Sequence, residues 1–340
     1  MPRVVGIDPG TVSIDIVGLA DGKLWLDRTF STREALATPG TLVRLLQEQG
    51  PLDLIAGPSG YGLPLVMATD ATDSDLRLAF LSREGDAGGI GGLGRLSRLL
   101  TEAELPVVYT PGVIHLSTVP ATRKINRVDL GTADKVAVAA LGIWEQSQRS
   151  GSSSFILLEL GGAFTAAVAV AGGRIIDGIG GTSGPIGWRS GGAWDGEAAI
   201  LAGQVTKEML FRGGVSDGEP DDLSAYIEGA HKAVLSLTAT LPGPDEILLS
   251  GRQLLRPEIR DPLERRLSAI APVRRLRGFA SVAKEGAQGA AIIADGLAGG
   301  ANRTITDGLR LREASGTVLD HLRVIPPDHA RRHLGLTASG

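Results

Sequence analysis

The chain has 340 residues, a hydrophobic fraction of 43%, a charged fraction of 21% and a formal net charge of −4. A chain of this length is expected to form two domains of about 150 residues, and its acidic balance without a basic tract argues against a nucleic-acid partner. Because there is no cysteine, disulfides, thiolate metal sites, iron–sulfur clusters and a cysteine nucleophile are excluded.

The amino-terminal residues predict a protein without a targeting signal, because they run directly into an apolar strand. No apolar stretch of about 20 residues follows, so we expect a cytoplasmic protein with no membrane partner. Aromatic residues make up 4% of the chain, whereas there are 48 glycines, many of them in pairs. This composition favours tight turns around a glycine-lined cleft for a small ligand.

The first 150 residues predict a strand meander followed by alternating helices and strands. VVGID is a short buried strand, SIDIVGLA is a second strand, and KLWLDRTF is a third after the turn at Asp21-Gly22. The later predicted elements are the helix PGTLVRLLQEQG, the strand DLIAGPSGYG with its glycine-rich loop, a helix from Ile90 to Glu104, the strand LPVVYTPGVI, and the alanine-rich helix GTADKVAVAALGIWEQSQ with Thr132 as its N-cap.

A second cycle of the same pattern begins after the small polar residues SGSSS at 150–154. FILLELGGAFTAAVAVAGGRIIDGIG repeats an apolar strand, a carboxylate, glycines, a hydroxyl, a second strand, a glycine turn and a third strand. Two such units predict two similar lobes with a cleft between them. We expect lobes over 1–150 and 151–340, with the carboxyl-terminal segment free to return to the first lobe.

The turn after each first strand has the composition of a phosphate-binding loop. Glycine lets backbone N–H groups approach an anion, and hydroxyls add donors. The candidate residues are Asp8, Gly10, Thr11 and Ser13 in the first turn, and Glu159, Gly161, Gly162 and Thr165 in the second. Asp8 is placed to hold a hydrated Mg²⁺ or to orient the phosphoryl acceptor. Each pattern alone also suits a plain β-hairpin turn, and the pairing of the two favours phosphate binding.

Three later stretches continue this arrangement. DEILLSGRQLL is a strand that enters Ser250-Gly251-Arg252, where the glycine lets an adenine and ribose lie against the backbone and the arginine covers the base. AKEGAQGAAIIADGL and ADKVAVAALGI are helices of small residues, which permit a close crossing at a hinge. Alanine-rich core helices are the alternative interpretation of both.

In this order the segments resemble the actin, Hsp70 and sugar kinase superfamily of two-lobed ATP-binding proteins. The matching segments are IDPGTVS (phosphate 1), GTADKVAVAALGI (connect 1), LLELGGAFT (phosphate 2), ILLSGR (adenosine) and EGAQGAAII (connect 2). The resemblance implies a two-lobed α/β, ribonuclease H-like fold with a duplicated mixed sheet flanked by helices, an interlobe cleft, and ATP and Mg²⁺ as cofactors, with Asp8 and Glu159 as metal-binding residues. Glu159 departs from the pattern, in which aspartate is commoner.

Two further segments are similar to narrower families. GWRSGGAWDGE looks like the Arg-Ser-Gly segment of acetate kinases, which implies that Arg189 contacts the transferring phosphoryl group. TPGVIHLSTVPATRKINRVDLGTADK and LREASGTVLDHL are similar to an uncharacterised family of predicted butyrate kinases. The resemblance implies phosphoryl transfer from ATP to a small molecule, with a carboxylate acceptor giving an acyl phosphate.

Candidate catalytic roles follow from the needs of phosphoryl transfer, which depends on placement and charge compensation. Arg189 is the first candidate for stabilising the transferring group, since a guanidinium is planar and always charged; a surface arginine in a glycine loop is the alternative. Asp134 lies in the first turn of a helix, where it suits a metal ligand, an acceptor-orienting group or simple complementation of the helix dipole. A carboxylate acceptor needs no strong base, whereas a hydroxyl acceptor does.

The basic residues before this helix are candidates for holding an anionic substrate. They are Arg123, Lys124 and Arg127, and a solvated loop is the alternative interpretation. His115 is expected to be a hydrogen-bonded core histidine. Asp195 and Glu197 suit either metal ligands or helix caps.

The alternatives to an acyl-forming kinase are a sugar or other small-molecule kinase, and an ATP-binding regulatory or sensor protein with slow hydrolysis. Carbamoyl transfer is disfavoured because the first lobe lacks a histidine pair on the corresponding helix, and radical-enzyme activation because there is no cysteine. A dinucleotide-binding dehydrogenase lacks the G-x-G-x-x-G turn. The oligomeric state, including a homodimer, is left open.

Overall fold

The computed structural model describes residues 2–83, 93–149, 153–219 and 221–336. Its first sheet has the strand order β3-β2-β1-β4-β6-β5, in which β1, β2 and β3 form an antiparallel meander and β1, β4 and β6 run parallel. The strands are β1 (Arg3–Pro9), β2 (Ser13–Ala20), β3 (Lys23–Ser31), β4 (Leu54–Ala56), β5 (Val66–Met67) and β6 (Val107–Tyr109).

The second sheet repeats this arrangement with the order β11-β10-β7-β8-β9. Its strands are β7 (Phe155–Leu160), β8 (Thr165–Ala171), β9 (Arg174–Ile179), β10 (Glu246–Ser250) and β11 (Val273–Arg275). As in the first sheet, the first three strands form an antiparallel meander, and the parallel strands follow on the other side of the opening strand. The predicted duplicated mixed sheet is therefore confirmed.

Twelve α-helices are defined in the described part of the chain. They are α1 (Thr32–Ala37), α2 (Pro39–Glu48), α3 (Asp73–Phe80), α4 (Leu93–Glu102), α5 (Ala121–Lys124), α6 (Ala133–Ser147), α7 (Gly196–Ala202), α8 (Asp222–Thr238), α9 (Pro257–Leu267), α10 (Glu285–Leu297), α11 (Arg303–Gly308) and α12 (Pro327–His333). Within that part of the chain, none has the length and apolar character that a bilayer-spanning helix needs. The start of the helix predicted from Ile90, and the first residues of SGSSS, lie outside the described residues.

Helices α6 and α10 cross at the centre of the molecule, each contacting a different sheet. Helix α10 packs on β1, β2 and β4, whereas α6 contacts β8. A methyl group placed on Gly289 would lie 1.8 Å from the Ala137 carbonyl oxygen, and one placed on Gly6 would lie 2.1 Å from the Ala291 nitrogen. Gly289 therefore permits the close helix crossing that the small-residue composition predicted, and Gly6 permits the close packing of β1 on α10.

The strand predicted over LPVVYTPGVI ends earlier than expected. Strand β6 stops at Tyr109, and Val113–His115 form a 3-10 helix. Pro111 cannot donate to a ladder, and the chain at Gly112 packs so closely that a methyl group there would lie 2.2 Å from the Tyr61 carbonyl oxygen. The chain therefore turns inward after Tyr109.

The segment after α11 lies against the stretch of chain between β6 and α6. The Ser315 N–H donates to the His115 carbonyl oxygen, and the Arg323 and Val324 N–H groups both donate to Asn126 Oδ1. These contacts hold the carboxyl-terminal segment against the loop that precedes α6. The lobe boundaries themselves stay a prediction.

His115 is a core residue, although neither ring nitrogen has a hydrogen-bond partner among the described residues. Burial is the largest cause that lowers the pKa of His115 from 6.5 to about 4. The Gly112 backbone and Asp320 oppose the change, whereas Lys124 and His321 contribute to it. The unfolded chain therefore takes up a proton at a higher pH than the folded chain. Stability from this group is complete above pH 6.5 and is lost as the pH falls through 6.5 toward 4.

We expect the His115→Leu variant to lose this part of the pH dependence. The difference between the two pKa values corresponds to about 3 kcal/mol of unfolding free energy. The measurement is urea unfolding at pH 7.5 and pH 4, with His329→Leu, a change at an exposed histidine of α12, as the control. Equal pH dependence in wild type and His115→Leu would contradict the assignment.

Candidate functional site

The two glycine turns that the sequence paired lie against each other. A methyl group placed on Gly162 would lie 3.3 Å from both Thr11 Oγ1 and Val12 Cγ2. The turns are also closed in the same way, because Gly10 N–H donates to the Ser13 carbonyl oxygen and Gly161 N–H to that of Phe164. The structure therefore brings the phosphate 1 and phosphate 2 segments together at one place between the sheets.

Asp8, at the end of β1, is buried beside a lysine. Its carboxylate is 6% exposed, and Lys284 Nζ lies 3.2 Å from Asp8 Oδ2. Burial raises the pKa of Asp8 to about 6; Lys284 opposes this change, whereas Asp134 reinforces it. Asp134, in the first turn of α6, is therefore close enough to influence the titration of Asp8.

Lys284 bridges Asp8 to a second carboxylate, that of Asp15. Its Nζ lies 3.5 Å from Asp15 Oδ2, and Asp15 also accepts hydrogen bonds from the hydroxyls of Ser13 and Thr29, at 2.6 and 2.5 Å. Burial alone would lower the pKa of Lys284, but Asp8 and Asp15 raise it above its ordinary value. The ammonium is therefore charged at neutral pH.

A second lysine, Lys135, joins α6 to the end of β7. Its Nζ donates to Asp134 Oδ2 at 2.5 Å and to Glu159 Oε1 at 2.9 Å. Burial would raise the pKa of Asp134, but Lys135 and the hydrogen bonds from Lys135 and Thr132 hold it below its ordinary value. Burial raises the pKa of Glu159, and its Oε2 atom has no hydrogen-bond partner among the described residues.

The two halves of the site therefore have the same arrangement of charged residues. In each half, the carboxylate at the end of the first strand is paired with a lysine at the start of a connecting helix: Asp8 with Lys284, and Glu159 with Lys135. The helices begin with the related sequences ADK and AKE. Each lysine neutralises carboxylates that would otherwise repel one another in a buried site.

Sequence reasoning missed four residues of this cluster, namely Lys135, Lys284, Asp15 and Glu285. Burial raises the pKa of Glu285, which also interacts with Lys284 and Asp8. A signal for the lysines was present, because each stands next to an acidic residue at the start of a predicted connecting helix. Their partners on the strands, Glu159 for Lys135 and Asp8 and Asp15 for Lys284, lie more than 20 positions away and become visible only once the sheets are assembled.

The adenosine segment joins the second turn from one side. Gly251 has a φ of 106°, and a methyl group there would lie 2.2 Å from the Leu160 carbonyl oxygen. Ser250 is buried opposite Glu159 in the sheet register. Arg252 is exposed, and its Cδ would lie 3.5 Å from a methyl group on Gly162. All three residues therefore lie beside the phosphate 2 turn.

Two of the predicted hydroxyl donors are engaged within the protein. The Thr165 side chain is fully buried in β8 and donates to the Ile186 carbonyl oxygen at 3.2 Å. The Ser13 hydroxyl donates to Asp15. The expected role of Thr165 in ligand binding therefore gains no support, because its hydroxyl is buried and donates to a backbone carbonyl.

Arg189 lies next to the phosphate 2 turn through its backbone. Its N–H donates to the Ala163 carbonyl oxygen at 3.0 Å, whereas its exposed guanidinium lies 5.4 Å from the centre of the Phe211 ring. Asp195 caps α7 by accepting from the Glu197 N–H at 2.8 Å, as the helix-cap alternative predicted.

The basic residues of the loop before α6 do not form a joint anion site. Arg123 donates to the Ile176 carbonyl oxygen at 2.5 Å, and the buried Lys124 donates to that of Leu116 at 2.9 Å. Arg127 is exposed. Because Arg123 and Lys124 satisfy internal carbonyls, the expected role of this cluster in substrate binding gains no support.

The carboxylates beside the two turns suit a divalent metal that also binds phosphate. In the described ranges, no group of three or more histidine, aspartate or glutamate side chains is arranged to hold a metal by itself. Mg²⁺ is usually held by one or two carboxylates together with substrate phosphates and water. Asp8, with Asp15 beside it, and Glu159 with its unpaired oxygen meet this requirement.

A family model described as "Protein of unknown function (DUF1464)" matches residues 6–324. The chain belongs to this family. No curated protein matches it significantly. For this DUF1464 member, solved structures show instead which known folds the chain resembles.

Two solved kinases have a similar fold. A propionate kinase from Francisella tularensis has a TM-score of 0.58 at 12% identity, over 85% of this chain and 99% of that one. Acetate kinase from Entamoeba histolytica has a TM-score of 0.56 at 12% identity, over 78% and 86%. The chain therefore shares the fold of these two kinases, which is consistent with the two-lobed α/β ATPase fold that the sequence predicted.

Proposed function

We propose that this protein is an ATP-dependent phosphotransferase that acts on a small carboxylate and gives an acyl phosphate, as a butyrate kinase does. The contact between the Gly10 and Gly162 turns carries the proposal, since each turn adjoins a strand-end carboxylate and a lysine. The fold shared with acetate and propionate kinases supports the same reaction class.

The turns would bind the nucleotide's phosphates through backbone N–H groups, with the adenosine toward Gly251 and Arg252. Asp8 and Glu159 would hold Mg²⁺ together with those phosphates, and the metal would neutralise charge on the transferring group. Lys135, Lys284 and Arg189 would supply further positive charge. Arg189 must turn away from Phe211 to reach the transferring group.

In the proposed reaction, a carboxylate oxygen of the substrate attacks the γ-phosphorus of ATP. The new oxygen–phosphorus bond forms as the bond to the β–γ bridging oxygen breaks, and that oxygen keeps the electron pair in ADP. No proton is transferred, because the acceptor is already ionised at neutral pH. The protein's task is to align the three groups and compensate their charge.

The state of Asp134 favours a carboxylate acceptor over a hydroxyl acceptor. Lys135 and Thr132 hold its pKa below the ordinary value, so it is ionised but a weak proton acceptor. A carboxylate acceptor makes no demand on such a weak base, whereas a hydroxyl acceptor must lose its proton to a base. Asp134 is better suited to orienting groups in the cleft.

A second candidate function is an ATP-controlled regulatory or sensor protein with slow hydrolysis. The contact between the turns favours it, since admitting a polyphosphate would require the lobes to separate. Such a separation would provide a conformational output.

The test is ADP release by the purified protein with Mg-ATP and a panel of short carboxylates, with hydroxylamine to trap acyl phosphates. We expect an acyl hydroxamate with at least one acid and no comparable ADP release with polyols. ADP release that is slow and independent of every acid would support the sensor. Rapid release with a polyol, without hydroxamate, would move the assignment to a sugar-type kinase.

A further inference from the structure

The environment of Lys284 differs from that of an ordinary structural ion pair. Asp8 and Asp15 are 6% and 2% exposed, and Lys284 is the basic side chain that reaches both. Two buried carboxylates so close together need a cation between them. In this structure the ammonium of Lys284 serves as that cation.

The ammonium also covers the glycine of the phosphate 1 turn. A methyl group placed on Gly10 would lie 2.1 Å from Lys284 Nζ, so the ammonium rests directly on the α-carbon of this glycine. An anion approaching the turn, or a metal approaching Asp8, would meet the ammonium first. A metal at Asp8 and the present position of Nζ therefore exclude each other, whereas an anion at the turn would be attracted by the ammonium.

The backbone before Lys284 is fixed, so the side chain can move without unfolding the site. Asp27 on β3 accepts hydrogen bonds from the Ser281, Val282 and Ala283 N–H groups at 2.7–2.9 Å. From the other side, Gln288 donates to the Ala283 carbonyl oxygen. Asp27 and Gln288 thus anchor the start of α10.

Of the two cleft lysines, Lys284 is held less tightly. Its Nζ lies 3.2 and 3.5 Å from its carboxylate partners, and its side chain is 35% exposed. Lys135 lies 2.5 and 2.9 Å from its partners and is 14% exposed. Displacing Lys284 therefore breaks longer contacts than displacing Lys135, and its side chain already reaches solvent.

We propose that Lys284 is an exchangeable counter-ion, which occupies the cation position of Asp8 and Asp15 until a divalent metal displaces it toward the phosphates of the bound nucleotide. The proposal rests on the nucleotide site of the proposed function, but it does not depend on the acceptor or on turnover. Lys284 competes with the metal in the ligand-free protein. Once the metal and the nucleotide are bound, its ammonium contributes positive charge beside the nucleotide's phosphates.

The test compares Lys284→Met with wild type, since methionine keeps the length of the side chain and removes its charge. We expect Mn²⁺ to bind the nucleotide-free variant about tenfold more tightly, and ADP in EDTA to bind about tenfold more weakly. Mn²⁺ binding is read by electron paramagnetic resonance, and ADP binding by calorimetry. Lys232→Met, which removes an exposed lysine paired with Glu228, is the matched control and should change neither.

An unchanged Mn²⁺ affinity in folded Lys284→Met would contradict the proposal that Lys284 competes with the metal. An unchanged ADP affinity would contradict the proposal that Lys284 assists nucleotide binding. Lys284→Arg keeps the charge and should restore ADP binding without strengthening Mn²⁺ binding. If the variants are unstable, a measurement on the wild-type protein tests the proposal instead. Reductive methylation of Lys284, followed by mass spectrometry, should accelerate when Mn²⁺ is added, and an unchanged rate would contradict the proposal.

Failure of this proposal and failure of the proposed function give different results. If wild type forms no acyl hydroxamate but Lys284→Met binds Mn²⁺ more tightly, the counter-ion role of Lys284 is supported and the kinase reaction is contradicted. Hydroxamate formation by wild type, with an unchanged Mn²⁺ affinity of Lys284→Met, would support the kinase reaction and contradict the counter-ion role of Lys284.

Discussion

The Asp8→Ala variant is expected to lose about 10³-fold in turnover while it keeps its fold. Asp8 is the carboxylate at which the first turn, Lys284 and the start of α10 meet; a methyl group on Gly286 would lie 2.1 Å from its Oδ2. Removing it takes away a proposed metal ligand. The measurement is ADP release under saturating Mg-ATP with the best carboxylate substrate.

Stability should be maintained in this variant because the buried carboxylate is costly when ionised. Burial raises its pKa to about 6, so the ionised form at pH 7.5 is disfavoured by the fold, and Lys284 retains Asp15 as a partner. Asp307→Ala, at an exposed position of α11, is the control and should keep wild-type turnover. Wild-type turnover in folded Asp8→Ala would refute the role of this residue.

The Gly289→Val variant is expected to lose the folded state, or at least about 4 kcal/mol of unfolding free energy. The added side chain would begin 1.8 Å from the Ala137 carbonyl oxygen and 2.3 Å from its carbonyl carbon. Both obstacles are backbone atoms of α6, so they cannot move aside as a flexible side chain does. The crossing of α6 and α10 must widen, and the sheets on either side must separate.

Thermal unfolding followed by circular dichroism measures this effect. Gly40→Val in α2 is the matched control, because a methyl group at that position meets nothing within 4 Å. It should change the unfolding temperature little. Equal unfolding temperatures for the two variants would show that the helix crossing tolerates a larger separation than the structure has.

The fold was largely predictable because its signals are local and repeated. The buried strands carry continuous apolar runs, and the turns at Gly10 and Gly162 repeat after about 150 residues, as do the small-residue helices. Periodicity and repetition of this kind depend on short stretches of chain, so they can be recognised without knowing the packing. The strand predicted over LPVVYTPGVI was wrong at its end because Pro111 and Gly112 stop the ladder.

The site was predictable in part. Asp8 and Glu159 follow apolar strands directly, and the structure places Asp8 beside the Gly10 turn through Lys284 and Glu159 beside the Gly161 turn. Lys284 and Lys135 were missed because their importance comes from partners that are distant in the chain. Composition likewise cannot show that Thr165 faces the core.

The basic loop shows a different limit of sequence reasoning. Arg123 and Lys124 form a plausible anion site when they are considered as neighbours in the sequence. In the structure their donors go to the carbonyls of Ile176 and Leu116, which lie on separate segments. Unpaired backbone carbonyls compete with a substrate for such donors, and the sequence does not show where those carbonyls lie.

The central claim is that a nucleotide's phosphates bind between the turns at Gly10 and Gly162. A crystal structure with Mg²⁺ and a non-hydrolysable ATP analogue tests it most directly. We predict that the polyphosphate lies between the two turns, which move apart from their present contact, with Lys284 withdrawn from Asp15. An analogue bound elsewhere, with the Thr11–Gly162 contact intact, would contradict the claim.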